Sequence, residues 1–305
     1  MTPRSTRKNS KKNSFAPILG FIQFLIFIPV IGTSLPAGQI ANVNDVPNDL
    51  TIPALSDGEA AAGKRVKQAH PEWKETAVYH VLYLPDDWTR EKKLPLIIEF
   101  PGNGGFTNKL GDVSTGKVED CKLGLGLSGG RGMIWAVLPF VHQATKANQL
   151  NWWGDADATA DYCVKTVRWL CETYGADPDA VILCGFSRGA IACSYIGLRN
   201  DEIARLWRGI FAHSHYDGVR KWVTADSDAD SARKRLSRLN GRPQFISHES
   251  SVADTQKFLE NSKLDAGATF VSLPFPNHTD TWVLKDLPER KQLREWLLGV
   301  LGKKK

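Results

Sequence analysis

From residue 78 onward, short apolar runs alternate with longer stretches of mixed polar and apolar residues. Residues 78–84 alternate like a strand. The runs at 96–100, 134–138, 181–184, 209–212 and 245–247 are short and mostly continuously apolar, as strands buried on both faces of a parallel sheet must be, and 269–273 reads as a last strand. Two segments between or after them have the helical period instead. Ala160, Val164, Val167 and Cys171 recur at steps of four and three, and Gly175 stands where a helix stops. Leu293, Trp296, Leu297, Val300 and Leu301 mark an amphipathic terminal helix, with Pro288 placed to start it. Alternation of this kind predicts an α/β domain with a doubly wound, mostly parallel sheet covered by helices on both faces, spanning residues 76–302. In such sheets ligands bind beyond the carboxyl ends of the strands.

The first 75 residues read differently. A basic start (Arg4, Arg7, Lys8, Lys11, Lys12) precedes an apolar run over 15–31 and small residues over 32–37. Residues 1–37 thus read as a signal peptide or an N-terminal membrane anchor, which places the rest of the chain outside the cytoplasm: periplasmic, secreted, or anchored facing outward. Residues 38–75, rich in Pro, Asn, Asp and Ala, read as a flexible connector. The net charge of +6 is concentrated in the basic start and in Lys303, Lys304 and Lys305. Without those ends the body is nearly neutral, which speaks against a nucleic-acid partner; any membrane contact falls to the N-terminal segment. The five cysteines have no CxxC spacing, so no zinc or redox motif is indicated. Export leaves room for one disulfide. Cys184 and Cys193 read as small core residues.

Chemistry enters at Gly185-Phe-Ser-Arg-Gly189, a GxSxG directly after the strand at 181–184 and before a helical stretch. The motif alone is common; its strand-turn-helix setting gives it meaning. A serine on a sharp turn has its hydroxyl pushed into the open, and glycines on either side remove side chains that would collide with nearby backbone. A hydroxyl is a poor nucleophile until a base takes its proton. His278, in Pro276-Asn-His-Thr-Asp280, follows the last strand and precedes the terminal helix, the place for that base in the order Ser, acid, His. The acid stays open. Glu249 follows the strand at 244–247, Asp217 follows the preceding strand, and Asp254 is near but reads as part of a capping box with Ser251. Pro101-Gly-Asn-Gly-Gly105 after the strand at 96–100 offers backbone N–H groups to an oxyanion from Asn103 or Gly104, with Arg188 supplying the second donor. Trp152 and Trp153 are candidates for a substrate platform, against a reading in which a tryptophan packs in the core and Asp155 or Asp157 caps the next helix. His215 is a candidate pocket residue. His213, His215 and Asp217 lack an evident fourth ligand, so no metal is expected.

The succession of Pro-Gly-Asn-Gly-Gly, GFSRG and a late histidine resembles the α/β-hydrolase superfamily over about residues 76–302. Within it the chain is most similar to exported esterases of the polyhydroxybutyrate-depolymerase-like or dienelactone-hydrolase-like kind. The resemblance implies hydrolysis of a small-molecule or polysaccharide-linked ester through an acyl-serine, without a cofactor. The loop after Ser247 lacks the common Gly-x-x-Asp pattern, which bears on the acid alone. Two other readings stand beside it: a serine peptidase on the same fold, and a non-catalytic carbohydrate- or envelope-binding protein that retains the fold.

Overall fold

The computed structural model describes residues 40–302; residues 1–37, read above as a signal peptide or anchor, lie outside them. Nine strands form the main sheet: β1 (Leu55–Ser56), β2 (Arg65–Gln68), β3 (His80–Tyr83), β4 (Leu94–Phe100), β5 (Ile134–Val137), β6 (Ala176–Phe186), β7 (Gly209–His213), β8 (Gln244–Glu249) and β9 (Ala268–Leu273). Their spatial order is β1-β2-β3-β5-β4-β6-β7-β8-β9. All neighbours are parallel except β3, which runs antiparallel to both β2 and β5.

The apolar runs belong to strands covered on both faces. In β6, Val181 and Leu183 join one core while Ile182, Cys184 and Phe186 join the other. β4 does the same with Leu96, Ile98 and Phe100 against Ile97. Opposite faces of one strand thus feed two hydrophobic layers, and no polar alternation remains to be seen in the sequence. Helices α2 (Ala156–Tyr174), α3 (Arg188–Tyr195), α4 (Asp201–Ala204), α5 (Ala229–Leu236) and α6 (Ala253–Ser262) pack on the first layer. α1 (Leu123–Ser128) and α7 (Pro288–Gly302) pack on the second. Helix α2 is capped at its start by Asp155, which accepts from Ala158 N at 2.9 Å, and ends on Gly175 with φ +71°. The doubly wound α/β architecture is the one expected.

Two expectations are corrected. The connector expected over 38–75 is not flexible in its described part: from Ile40 onward the segment is built into the domain. β2 pairs with β3, Val43 and Val66 are fully buried, and Asp49 makes a two-pronged ion pair with Arg290 of α7. Part of its polar content pairs with the domain: Asn42 and Asn44 donate to Leu110 O, and Asn44 also to Asp112. Ser251 and Asp254 do not form a capping box either. The residue capping α6 is Val252, without a side-chain bond, and Asp254 points outward in the first turn. All five cysteines are free.

Candidate active site

The carboxyl ends of β4, β6, β7 and β8 stand side by side. β6 stops at Phe186 and α3 starts at Arg188, leaving Ser187 alone to make the turn at φ +54°, ψ −116°. For a non-glycine residue this is strained backbone, of order 1–3 kcal/mol. It persists because neighbouring structure leaves no alternative. Ser187 N donates to His213 O at 2.9 Å, and α3 packs against the sheet so closely that a Cβ on Gly189 would strike the Phe100 carbonyl. A Cβ on Gly185 would strike the backbone of Gly189. The two motif glycines are therefore required by close approach, and the serine between them is presented at the strand end.

Ser187 Oγ lies 2.9 Å from His278 Nε2, and His278 Nδ1 lies 2.7 Å from Glu249 Oε1. With Glu249 ionised, Nδ1 carries the proton and donates to it, which leaves Nε2 as the acceptor facing the serine hydroxyl. The other Glu249 oxygen accepts from Ser214 Oγ. Burial pushes the Glu249 carboxyl up, but the hydrogen bond from His278, the nearby imidazoles and Ser214 bring it down to about 2, so it is a carboxylate at neutral pH. The serine is 8% exposed and lines the cavity in front of it.

The other two candidate acids are elsewhere. Asp217 is fully buried in a bidentate pair with Arg235, at 2.8 and 3.0 Å. Asp254 sits exposed on α6. His213 faces Ser247 Oγ at 3.0 Å and Thr279 O at 2.9 Å, while His215 turns into the cavity, so the two histidines and Asp217 do not converge. Among the described residues no group of three His, Cys, Asp or Glu could hold a metal.

The donors for an oxyanion need one correction. Gly104 N–H is already bonded to Leu150 O at 2.9 Å and does not line the cavity, so it is not a free donor. Asn103 and Arg188 do line it. Arg188 opens α3, where a backbone N–H has no intrahelical acceptor. Its buried guanidinium donates to Gly102 O at 2.7 Å and Trp152 O at 2.6 Å, tying the Asn103 loop to the tryptophan loop. Asn103 Oδ1 accepts from Trp152 N at 2.8 Å. Trp152 lines the cavity. Trp153 does not: it is buried and stacked on Tyr195 at 4.8 Å, a core residue.

Several residues here had no local signal in the sequence. Phe106, Ile191 and Trp222 complete the cavity, which measures about 200 Å³. A larger one of about 400 Å³ lies beyond Phe186, lined by polar groups including Ser114, Lys117, Asp120 and Asp280; neither Ser187 nor His278 borders it. Asp112, 1% exposed, braces the histidine loop. Its Oδ2 accepts from His278 N at 2.9 Å and Asn108 Nδ2 at 2.8 Å; its Oδ1 accepts from Asn277 Nδ2 at 2.8 Å and Asn44 Nδ2 at 2.9 Å. Replacing Asp112 by Ala strips the His278 N–H of its acceptor and takes one bond each from Asn44, Asn108 and Asn277. Steady-state kinetics with thermal melts should then show kcat lower by about 10–100-fold, KM little changed, and a lower Tm. An unaltered kcat would exclude a positioning role.

Burial, helped by neighbouring His278, holds His215 down at about 4. Its folded value lies below the roughly 6.5 of an unfolded histidine, so the unfolded chain takes up a proton that the folded one refuses. Stability tied to His215 is present above pH 6.5 and is lost as pH falls towards 4, by at most about 3 kcal/mol. His215→Leu should flatten the urea-midpoint profile across that window; an unchanged slope would contradict the assignment.

No family model matches the chain. Among curated proteins, liver carboxylesterase 1F of Rattus norvegicus is 27% identical over 168 residues, covering 50% of this chain and 28% of its own length. Liver carboxylesterase B-1 of the same organism is 22% identical over 215 residues, covering 63% and 36%. The chain thus spans about a third of the length of these relatives. Among solved structures, esterase 2 of Thermogutta terrifontis, phosphorylated by paraoxon, aligns with a TM-score of 0.53 at 15% identity over 78% of this chain and 95% of its own. An esterase of Rhizomucor miehei aligns with a TM-score of 0.50 at 10% identity over 79% and 84%. At such identities the likeness speaks for the fold alone. The chain thus shares its fold with these esterases.

Proposed function

We propose that this protein is a serine esterase that hydrolyses carboxylic esters through an acyl-serine intermediate. The observation that carries the reading is the continuous relay from Ser187 through His278 to Glu249, at 2.9 and 2.7 Å, opening into a cavity. Ser187 Oγ attacks the ester carbonyl as His278 Nε2 takes its proton. Glu249 holds the tautomer and stabilises the imidazolium. The carbonyl oxygen, now negative, is met by the backbone N–H groups of Asn103 and Arg188. His278 then gives its proton to the departing alcohol oxygen. Water repeats the sequence on the acyl-serine, releasing the acid and restoring the hydroxyl. No step calls for a cofactor. The carboxylesterase and esterase names of the similar proteins support the ester as substrate.

Labelling with a fluorophosphonate probe tests the reading: one equivalent per chain is expected, together with turnover of nitrophenyl acetate. Absence of labelling favours a non-catalytic binding protein. Faster turnover of peptide amides than of esters favours a peptidase. The basic start and the apolar run at 15–31 support export, with the enzyme acting outside the cytoplasm on a small or polysaccharide-linked ester. Cell fractionation that finds the chain in the cytoplasm would end that part of the proposal.

A further inference from the structure

The cavity in front of Ser187 is walled by rings. Phe106, Trp152, His215 and Trp222 line it, and Ile191 is the one aliphatic side chain among its lining residues. The indoles of Trp152 and Trp222 meet at 57° with centroids 5.5 Å apart, and His215 abuts Trp222 at 5.3 Å. Two inclined aromatic faces form a corner in which a third ring makes edge-to-face or offset contacts that an alkyl chain cannot make.

The corner is held in place from behind. Trp152 adopts φ +53°, a left-handed conformation that a bulky residue avoids unless its surroundings impose it. Asn103 Oδ1 takes its N–H and the Arg188 guanidinium takes its carbonyl. The loop bearing Trp222 is closed on itself by Ser227 Oγ, which accepts from Trp222 N at 3.0 Å and lies 2.8 Å from Trp222 O. Strain at Trp152 is therefore maintained by Asn103 and Arg188, which line the same cavity as Ser187.

Size and polarity narrow the occupant. A volume of about 200 Å³ equals roughly seven waters at about 30 Å³ each, room for one ring on a short arm. His215 has no hydrogen-bond partner among the described residues and is uncharged at neutral pH, and the Arg188 guanidinium in the lining is taken up by the Gly102 and Trp152 carbonyls.

We propose that this cavity is an aryl subsite: the ester cleaved at Ser187 carries an aromatic ring a bond or two from its reacting centre, packed against the corner that Trp152 and Trp222 form. The proposal rests on the esterase reading and extends it to a substrate class. The ring belongs to either the acyl or the alcohol half, and one experiment separates these. Methyl phenylacetate and benzyl acetate are isomers with the ring on opposite sides of the ester. Methyl octanoate and heptyl acetate are their carbon-matched aliphatic counterparts. With the full chain, one aryl ester should exceed its counterpart in kcat/KM by at least about fivefold. The isomer that does so identifies the half that enters the cavity. Trp222→Leu should bring that ratio towards one, and Trp222→Phe should restore part of it; Phe106→Leu should lower it in a second, independent variant. Thermal melts check that each variant is folded. Equal or faster turnover of the aliphatic esters, or a ratio unmoved in all folded variants, overturns the aryl subsite while leaving the esterase. Failure to hydrolyse any of the four esters or nitrophenyl acetate removes the esterase reading and the subsite with it.

Discussion

Replacing Ser187 by Ala should lower kcat/KM for nitrophenyl acetate by about 10⁴–10⁶-fold, and His278→Ala should cost nearly as much. The double variant should be no worse than either single one. The reason is geometric. The serine hydroxyl is activated only while His278 Nε2 stands 2.9 Å away to take its proton, so removing either partner abolishes one shared step. The oxyanion donors at Asn103 and Arg188 persist in both variants and leave a residual rate over water. Neither side chain is a large part of the core, so folding should survive. Fluorophosphonate labelling should vanish in Ser187→Ala; labelling that persists would move the nucleophile to another residue.

The second large effect separates the acids. Glu249→Gln should reduce kcat by about 10³–10⁴-fold, because a neutral amide neither enforces the Nδ1–H tautomer nor stabilises the imidazolium. Asp217→Asn should leave kcat nearly intact and act on stability instead. It breaks a bidentate pair and strands the Arg235 guanidinium in a buried setting, a loss of about 3–5 kcal/mol. Urea denaturation beside single-turnover kinetics gives both readouts. A large loss of kcat in Asp217→Asn, with Glu249→Gln near the native rate, would reverse the assignment.

What could be read along the chain was whatever is set by local covalent spacing. Buried parallel strands must be continuously apolar, so β4 to β8 announced themselves. Gly185 and Gly189 bracket Ser187 because a sharp turn against close-packed backbone admits nothing larger, and that constraint acts within five residues. The order of strands in turn placed the histidine after β9. The choice among Glu249, Asp217 and Asp254 was of another kind. All three are carboxylates near strand or helix ends, and only the pairing of β7, β8 and β9 decides which of them an imidazole from residue 278 meets. Gly104 and Asn103 likewise differ only in that Leu150, from a distant loop, has taken one of the two amides.

The residues from 40 to 75 mislead for the same reason. Their Asn, Asp and Pro content is that of a solvated linker, yet Asn42 and Asn44 reach the Asn277–Asp112 brace behind His278. Composition reports which groups need polar partners; the tertiary structure decides whether those partners are water or protein. The sequence by itself therefore determined the layered fold, the strained serine turn and the position of its base. Tertiary structure alone decided the acid, the free oxyanion donor, the brace and the ring-lined cavity. Each of these is a contact between segments tens to hundreds of residues apart, and no local pattern encodes such a pairing.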